Sequence, residues 1–378
     1  MKTHIKTTVT RIVSTLGSSR VALLLVAVVI LFCFVGVLLP QEGQFSPAEI
    51  EQWQRAHPLV TSLSSSLGLF RVFHSIFFLA TVFLLAVNTL TCTVIRIIRL
   101  IHDLGISAFT GITGLRHVGF LVLHTSLILL FTGGTISAAF SLDGFIILTE
   151  GQKFQEQHYG YIRLVEGLFR KAEHKNFTIL LNKAWEKYQD GYLLKRGARV
   201  TIMDGSGNTT KAEVQINKPL IYEKMSITLD GVGFSPKIVI KDRNNYKELV
   251  NSYVALKMFD YGDNRSHSDF LPLPFLEERN QRITITLFPV SGTDDNTPLL
   301  SVDLEDKNRV ENQHADIAIN GSTQLGEYFF EFSDLRQWAS FRIMDDPGYD
   351  LVWIALWLGT FGIILRYIPD LKKWFSPA

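Results

Sequence analysis

Residues 21–39 read VALLLVAVVILFCFVGVLL, an apolar run without a single charged side chain. A helix of roughly 20 residues crosses a hydrocarbon core of about 30 Å, so this stretch is long enough to span a bilayer. Lipid offers no partner to an unpaired N–H or C=O group, which forces a crossing segment of this kind to be helical. A cleaved secretory leader is the competing reading. It fails because the apolar core is too long and Leu39-Pro40-Gln41 is not a small-residue cleavage site. Residues 21–39 are therefore expected to be a retained transmembrane anchor.

Working outward, three more stretches meet the same test: residues 73–95, 118–140 and 349–365. Lys and Arg in the short flanks set the orientation. Lys2, Lys6, Arg11 and Arg20 precede the first span with no acid among them. Arg96, Arg99 and Arg116 flank the connection between the second and third spans, against Asp103 alone, and Arg366, Lys372 and Lys373 follow the fourth, with Asp370. The connection after the first span instead carries Glu42, Glu49 and Glu51 against Arg55 and Arg71. The expected layout is a cytoplasmic N-terminus (1–20), an external loop (40–72), a cytoplasmic loop (96–117), an extracytoplasmic domain (141–348) and a cytoplasmic C-terminus (366–378).

Composition agrees with a membrane protein. Hydrophobic side chains make up 47% of the 378 residues and charged ones only 19%, below the roughly 25% of soluble chains. A net charge of +1 gives no basis for a nucleic-acid partner, which requires a strongly basic surface. The two cysteines, Cys33 and Cys92, both lie in apolar runs, and none lies in 141–348. That excludes a disulfide framework, a CxxC redox pair and a zinc–thiolate site there. Cys33 and Cys92 read as small apolar residues packed in the bilayer.

The roughly 200 residues between the third and fourth spans suffice for their own core. Alternating or β-branched runs recur at 177–181, 199–203, 211–216, 237–240, 282–288 and 315–319, separated by turn clusters such as Asp204-Gly205-Ser206-Gly207-Asn208 and Asp242-Arg243-Asn244-Asn245. The expected fold class is integral membrane: four transmembrane helices plus a large, mainly antiparallel β domain, sandwich or open barrel. Parallel βαβ units are not expected, because no regular amphipathic helices alternate with the strands. Pro219, in Asn217-Lys218-Pro219-Leu220-Ile221-Tyr222, is expected at a ladder's end or edge, since it has no N–H to donate. The domain has no HExxH, G-x-S-x-G or P-loop, and His158, His174, His267 and His314 read as scattered, without ligand spacing.

An ionisable side chain within a span is a functional candidate by default. His124 lies about six residues into the third span, roughly 9 Å deep at the helical rise per residue. Neutral imidazole is the commonest protein metal ligand and an axial ligand of haem iron, whereas an interhelical hydrogen bond is the structural alternative. Gly133-Gly134 further along permits close helix approach. His117 precedes His124 by seven residues, about 10 Å along the axis, while trans nitrogens on one iron lie only about 4 Å apart. His74, at the opposite end of the second span, is likewise too far in depth to share an iron with His124. His117 and His74 remain candidates in their own right, against simpler roles as interfacial residues. An iron held axially by His124 needs its trans ligand from another chain or a small molecule. Trp353 and Trp357 fit an aromatic belt or helix contacts.

Several of these stretches, taken in order, resemble the ResB (CcsB) family of system II cytochrome c assembly factors. They are Leu16-Gly17-Ser18-Ser19-Arg20, Leu39-Pro40-Gln41, Leu67-Gly68-Leu69-Phe70 with Phe73-His74-Ser75, and Asn88 to Cys92. The series continues with the Gly119-to-Gly134 run around His124, Glu150-Gly151, the Asn217-to-Tyr222 run and Asp346-Pro347-Gly348. The resemblance implies a membrane protein of the bacterial plasma membrane or thylakoid, paired with a ResC/CcsA partner. Such a complex moves haem b, as transported substrate, across the membrane and joins it to CxxCH motifs of apocytochrome c. His124 matches the family's transmembrane haem ligand, with the opposing histidine supplied by the partner. The family's Trp-rich WWD motif belongs to that partner and is missing here, so the resemblance implies a subunit of a haem lyase rather than a complete one. After Tyr222, where many relatives carry a Gln-containing strand, this chain reads Ile227-Thr228-Leu229-Asp230-Gly231.

The alternative of another class is a non-catalytic membrane scaffold whose external β domain binds a secreted partner and whose His124 is structural. A transporter for another solute is disfavoured, since no inverted repeat or broken-helix pair is visible.

Overall fold

The computed structural model describes residues 15–42, 45, 47–105, 109–167, 169–170, 174–189, 192–261, 264–289, 297–306 and 312–375. Among them the helices are α1 (Ser19–Leu38), α2 (Pro47–Ala56), α3 (Pro58–Leu67), α4 (Ile76–Leu104), α5 (Gly111–Phe140), α6 (Pro274–Glu278) and α7 (Tyr349–Phe375), with a 3-10 helix at Leu69–His74. Two compact units form: Met1–Ser141 with Gly167–Phe169 and Asp346–Ala378, and Leu142–Glu166 with Arg170–Asp345.

In the helical unit, α1, α4, α5 and α7 are each long and apolar enough to cross a membrane. Their ends follow local chemistry. The Ser18 hydroxyl caps α1 by accepting from Val21 N (3.3 Å), and Ser75 caps α4 by accepting from Phe78 N (3.2 Å). Residues 40–72, expected as a loop, contain α2, α3 and most of the 3-10 helix, with Gly68 (φ +66°) ending α3. Residues 96–117 are likewise mostly helical: α4 continues to Leu104 and α5 begins at Gly111, leaving a short link bracketed by Gly105 and Gly111 at φ +59° and +69°. The apolar stretch measures what lipid would need, whereas the helix runs on until a residue in the left-handed region stops it.

Helices α5 and α7 meet backbone to backbone. A Cβ on Gly119 would sit 2.5 Å from Arg366 N, and one on Gly362 would sit 2.6 Å from Leu123 N. A Cβ on Gly133 would sit 2.9 Å from the Val352 side chain, whereas Gly134 has open space beside it. Of the Gly133-Gly134 pair, only the first carries the helix contact.

The second unit is built from antiparallel strands. Its 7-stranded sheet has the order β3 (Arg163–Glu166), β1 (Leu142–Thr149), β16 (Tyr328–Asp345), β8 (Met225–Asp242), β7 (Leu220–Tyr222), with β15 (Gly321–Leu325) also on β16 and β9 (Glu248–Tyr253) also on β8. A 4-stranded sheet runs β2 (Lys153–Gln155), β4 (Thr178–Gln189), β5 (Tyr192–Met203), β6 (Thr209–Gln215). A 5-stranded sheet runs β10 (Lys257–Tyr261), β11 (Asn264–Phe270), β12 (Gln281–Phe288), β13 (Leu299–Asp306), β14 (Gln313–Ala318).

Two cores result. One gathers Ile146, Ile179, Leu181, Ile202, Ile227 and Phe341; the other gathers Ile238, Ile283, Ile285, Val302, Phe330 and Phe332. The 18-residue strands β8 and β16 enter both, and β16 shifts register at Phe332/Asp334 and at Ser340/Phe341. Of the two expected forms it is the sandwich, present twice on one shared pair of strands. Pro219 directly precedes β7, the last strand of its sheet, an edge position where a missing N–H costs nothing.

Candidate functional site

His124 sits within α5 with its ring over Phe120, centroids 3.8 Å apart and planes at 34°. Its Nδ1 lies 3.0 Å from the Phe120 carbonyl oxygen. A carbonyl only accepts, so Nδ1 carries the proton and donates, leaving the lone pair on Nε2. That is the tautomer of a metal-ligating histidine oriented by a backbone carbonyl. Two cationic groups lie beside the same Phe120 ring. The Arg96 guanidinium of α4 lies 4.2 Å from the Phe120 ring centroid, and that of Arg366 on α7 lies 5.9 Å from it. A single corner of the helical unit thus joins an imidazole, an aromatic plane and two guanidiniums. This set suits a flat, metal-bearing ring with carboxylate substituents.

His117 lies on the same helix, seven residues away, and is not brought beside His124. His74 closes the 3-10 helix, and its side chain falls outside the described residues. Trp353 and Trp357 stay open at 46% and 70% exposure. Cys33 and Cys92 are both free thiols.

Several of the motifs that carried the resemblance prove to be stitching. Asn88, 2% exposed, donates from Nδ2 to the carbonyls of Leu16 and Ser18 (3.3 Å to the latter), tying α4 to the start of α1. Gln41 donates to Leu39 O and Leu69 O, 3.1 Å each, and accepts from Val72 N at 3.1 Å, pinning the end of α1 to the 3-10 helix. Asp346 Oδ1 accepts from Ser137 Oγ (2.6 Å) and Gly348 N (2.9 Å), fixing the start of α7 against α5. Polar side chains in such places hold apolar helices in register. In the β unit, Glu150 accepts from Ala184 N at 2.9 Å and Gly151 turns at φ +89°, again a corner.

The histidines of the β unit correct the sequence reading. His158 and His174 are not scattered: with Glu166 they place one ligand atom each within 4.8 Å of one another. No sequence spacing marks this trio, because a 3-10 turn (His158–Gly160), strand β3 and the segment leading into β4 each supply one member. His267 is buried against Phe234, and His314 pairs with Asp303 at the surface.

Two comparisons bear on identity. The chain is similar to a protein of Rhodomonas salina described as "Cytochrome c biogenesis protein Ccs1", with 21% identity across 96% of this chain and 89% of that one. A family model described as ResB-like matches residues 19–111 and 106–377. That match takes in the four apolar helices, the β unit between the last two and the corner at His124, so the chain belongs to the ResB-like family.

Proposed function

We propose that this chain acts in cytochrome c biogenesis as the haem-handling membrane subunit of a system II synthetase. Its family and the described role of its Rhodomonas relative support the first part of that reading. Haem handling rests on His124, whose Nε2 lone pair is directed by the 3.0 Å bond from Nδ1 to Phe120 O. In this reading α1, α4, α5 and α7 cross the membrane with both termini cytoplasmic, as the Lys and Arg bias argues. His124 then lies toward the cytoplasmic side, where haem b is taken up as substrate. Arg96 and Arg366 flank the site as charge-assisted partners for propionates.

One histidine leaves the opposite axial position for a ResC/CcsA-type partner, and the β unit faces outward to position the CxxCH segment of apocytochrome c. The test is the absorption spectrum of the chain co-purified with that partner. A reduced b-type spectrum is expected in the wild type, lost in His124→Ala and restored by added imidazole. An unchanged spectrum in a well-folded His124→Ala complex removes the ligand assignment. A wild-type complex free of haem leaves the scaffold reading in its place.

A further inference from the structure

We propose that His158, Glu166 and His174 bind one divalent transition-metal ion of zinc's class in the β unit, apart from the corner at His124. Glu156 is a fully buried carboxylate. Its oxygens accept from Tyr161 Oη (2.9 Å), Lys175 N (2.5 Å) and Asn176 N (3.3 Å), and Oε1 lies 2.6 Å from His174 Nδ1. Three donors from two directions hold this carboxylate still, so its bond to Nδ1 orients the His174 ring and leaves Nε2 as the free lone pair. A carboxylate behind a histidine in this way is the usual outer support of a protein metal site.

His174 Nε2 is aimed at Glu166. The two side chains are only 9% and 18% exposed, and Nε2 lies 4.0 Å from Glu166 Oε1. Among the described residues neither atom has a hydrogen-bond partner. At 4.0 Å they are too far apart to satisfy each other, and leaving both buried and unpaired is costly. His158 Nδ1 completes the set at 3.0 Å from Glu166 Oε2. Two ligands about 2.0–2.1 Å from a tetrahedral ion sit about 3.3 Å apart, between the two distances found. His158, 48% exposed on its 3-10 turn, is the member free to close the remaining gap.

Charge points the same way. The described ion pairs of Glu156 and Glu166 all go to imidazoles, so a dication at the trio meets one carboxylate directly and a second through His174. Two histidines and a carboxylate with an open fourth position suit zinc better than the oxygen-seeking calcium or magnesium. Bound there, the ion clips the turn before β3 to the segment entering β4.

The test uses the full-length, tag-free chain in detergent, free of haem and stripped by chelator, titrated with zinc by calorimetry and counted by elemental analysis. One zinc per chain is expected. Glu166→Gln and His174→Ala should weaken binding about a hundredfold or more, and His158→Ala about tenfold. Glu156→Gln, which touches the ion only through His174, should cost about ten- to a hundredfold. His314→Ala, at the separate Asp303 pair, should bind as the wild type does. Zinc should also raise the unfolding temperature of the wild type and leave that of Glu166→Gln unmoved. No binding at micromolar zinc, or unaltered affinity in the half-exposed His158→Ala variant together with Glu166→Gln, would overturn the site.

Discussion

A buried imidazole and an exposed one give the β unit opposite responses to pH. His267 is 4% exposed, edge-on to Phe234 at 4.8 Å, and burial lowers its pKa. The unfolded chain takes that proton near pH 6.5, so the contribution of His267 to stability is full above about pH 6.5 and is lost as pH falls through the lowered folded value. For His314, the hydrogen bond to Asp303 and the nearby Asp316 raise the pKa. Its contribution is present below about pH 6.5 and fades as pH rises through the raised value, and its exposure keeps it small. Between pH 7 and pH 5 the urea midpoint of the protein, followed by tryptophan fluorescence, should fall more steeply in the wild type than in His267→Leu. Parallel curves would show that His267 is solvated after all. At this scale the sequence exposed His124, because a histidine in an apolar run announces itself by contrast. It hid the His158–Glu166–His174 trio, whose members share neither a helix nor a strand and meet only through the fold.

Among elements, the pairing of α5 with α7 is the most exacting. Substituting Leu at Gly119 drives a side chain into the backbone of Arg366 and Gly362, at 2.5 and 2.8 Å from its first carbon. Overpacking of that kind costs about 3 kcal/mol when the neighbours cannot move, and here they are main chain. Gly134→Leu, on the same helix, meets open space. Heat-inactivation half-lives in detergent should therefore drop sharply for Gly119→Leu and stay near wild type for Gly134→Leu; equal losses would mean the helices do not cross this way. Helices were legible because apolar length survives without any partner. Strands were legible in pieces. Residues 237–240 were readable as β, yet β8 spans Met225–Asp242 and carries Gly231, Gly233 and Pro236, residues that weaken a strand pattern. Tertiary contacts override them. The Trp338 ring occupies the space a Cβ on Gly233 would need (2.7 Å), its Nε1 donates to Leu256 O at 3.0 Å, and Pro236 pairs beside a register shift.

For the molecule as a whole, the decisive pairing is Leu142 with Asp345, the first and last residues of the β unit, side by side in adjacent strands. A domain whose ends meet can be cut out without opening its sheets. Its two cores are not two domains, because β8 and β16 supply buried residues to both, from Ile227 to Ile240 on one strand and from Phe330 to Phe341 on the other. Losing one core frays strands that the other requires. A fragment of residues 141–346 should therefore be soluble and β-rich, and should unfold in a single transition by circular dichroism and calorimetry. Ile179→Ala in the first core and Ile285→Ala in the second each remove a fully buried side chain and should each cost about 2–5 kcal/mol. Cooperativity makes the sharper demand: both variants must shift the same single transition, read alike by circular dichroism and by calorimetry. If Ile285→Ala splits the melt in two, with one transition left at the wild-type midpoint, the lobes fold independently. The long strands would then be a hinge rather than a spine.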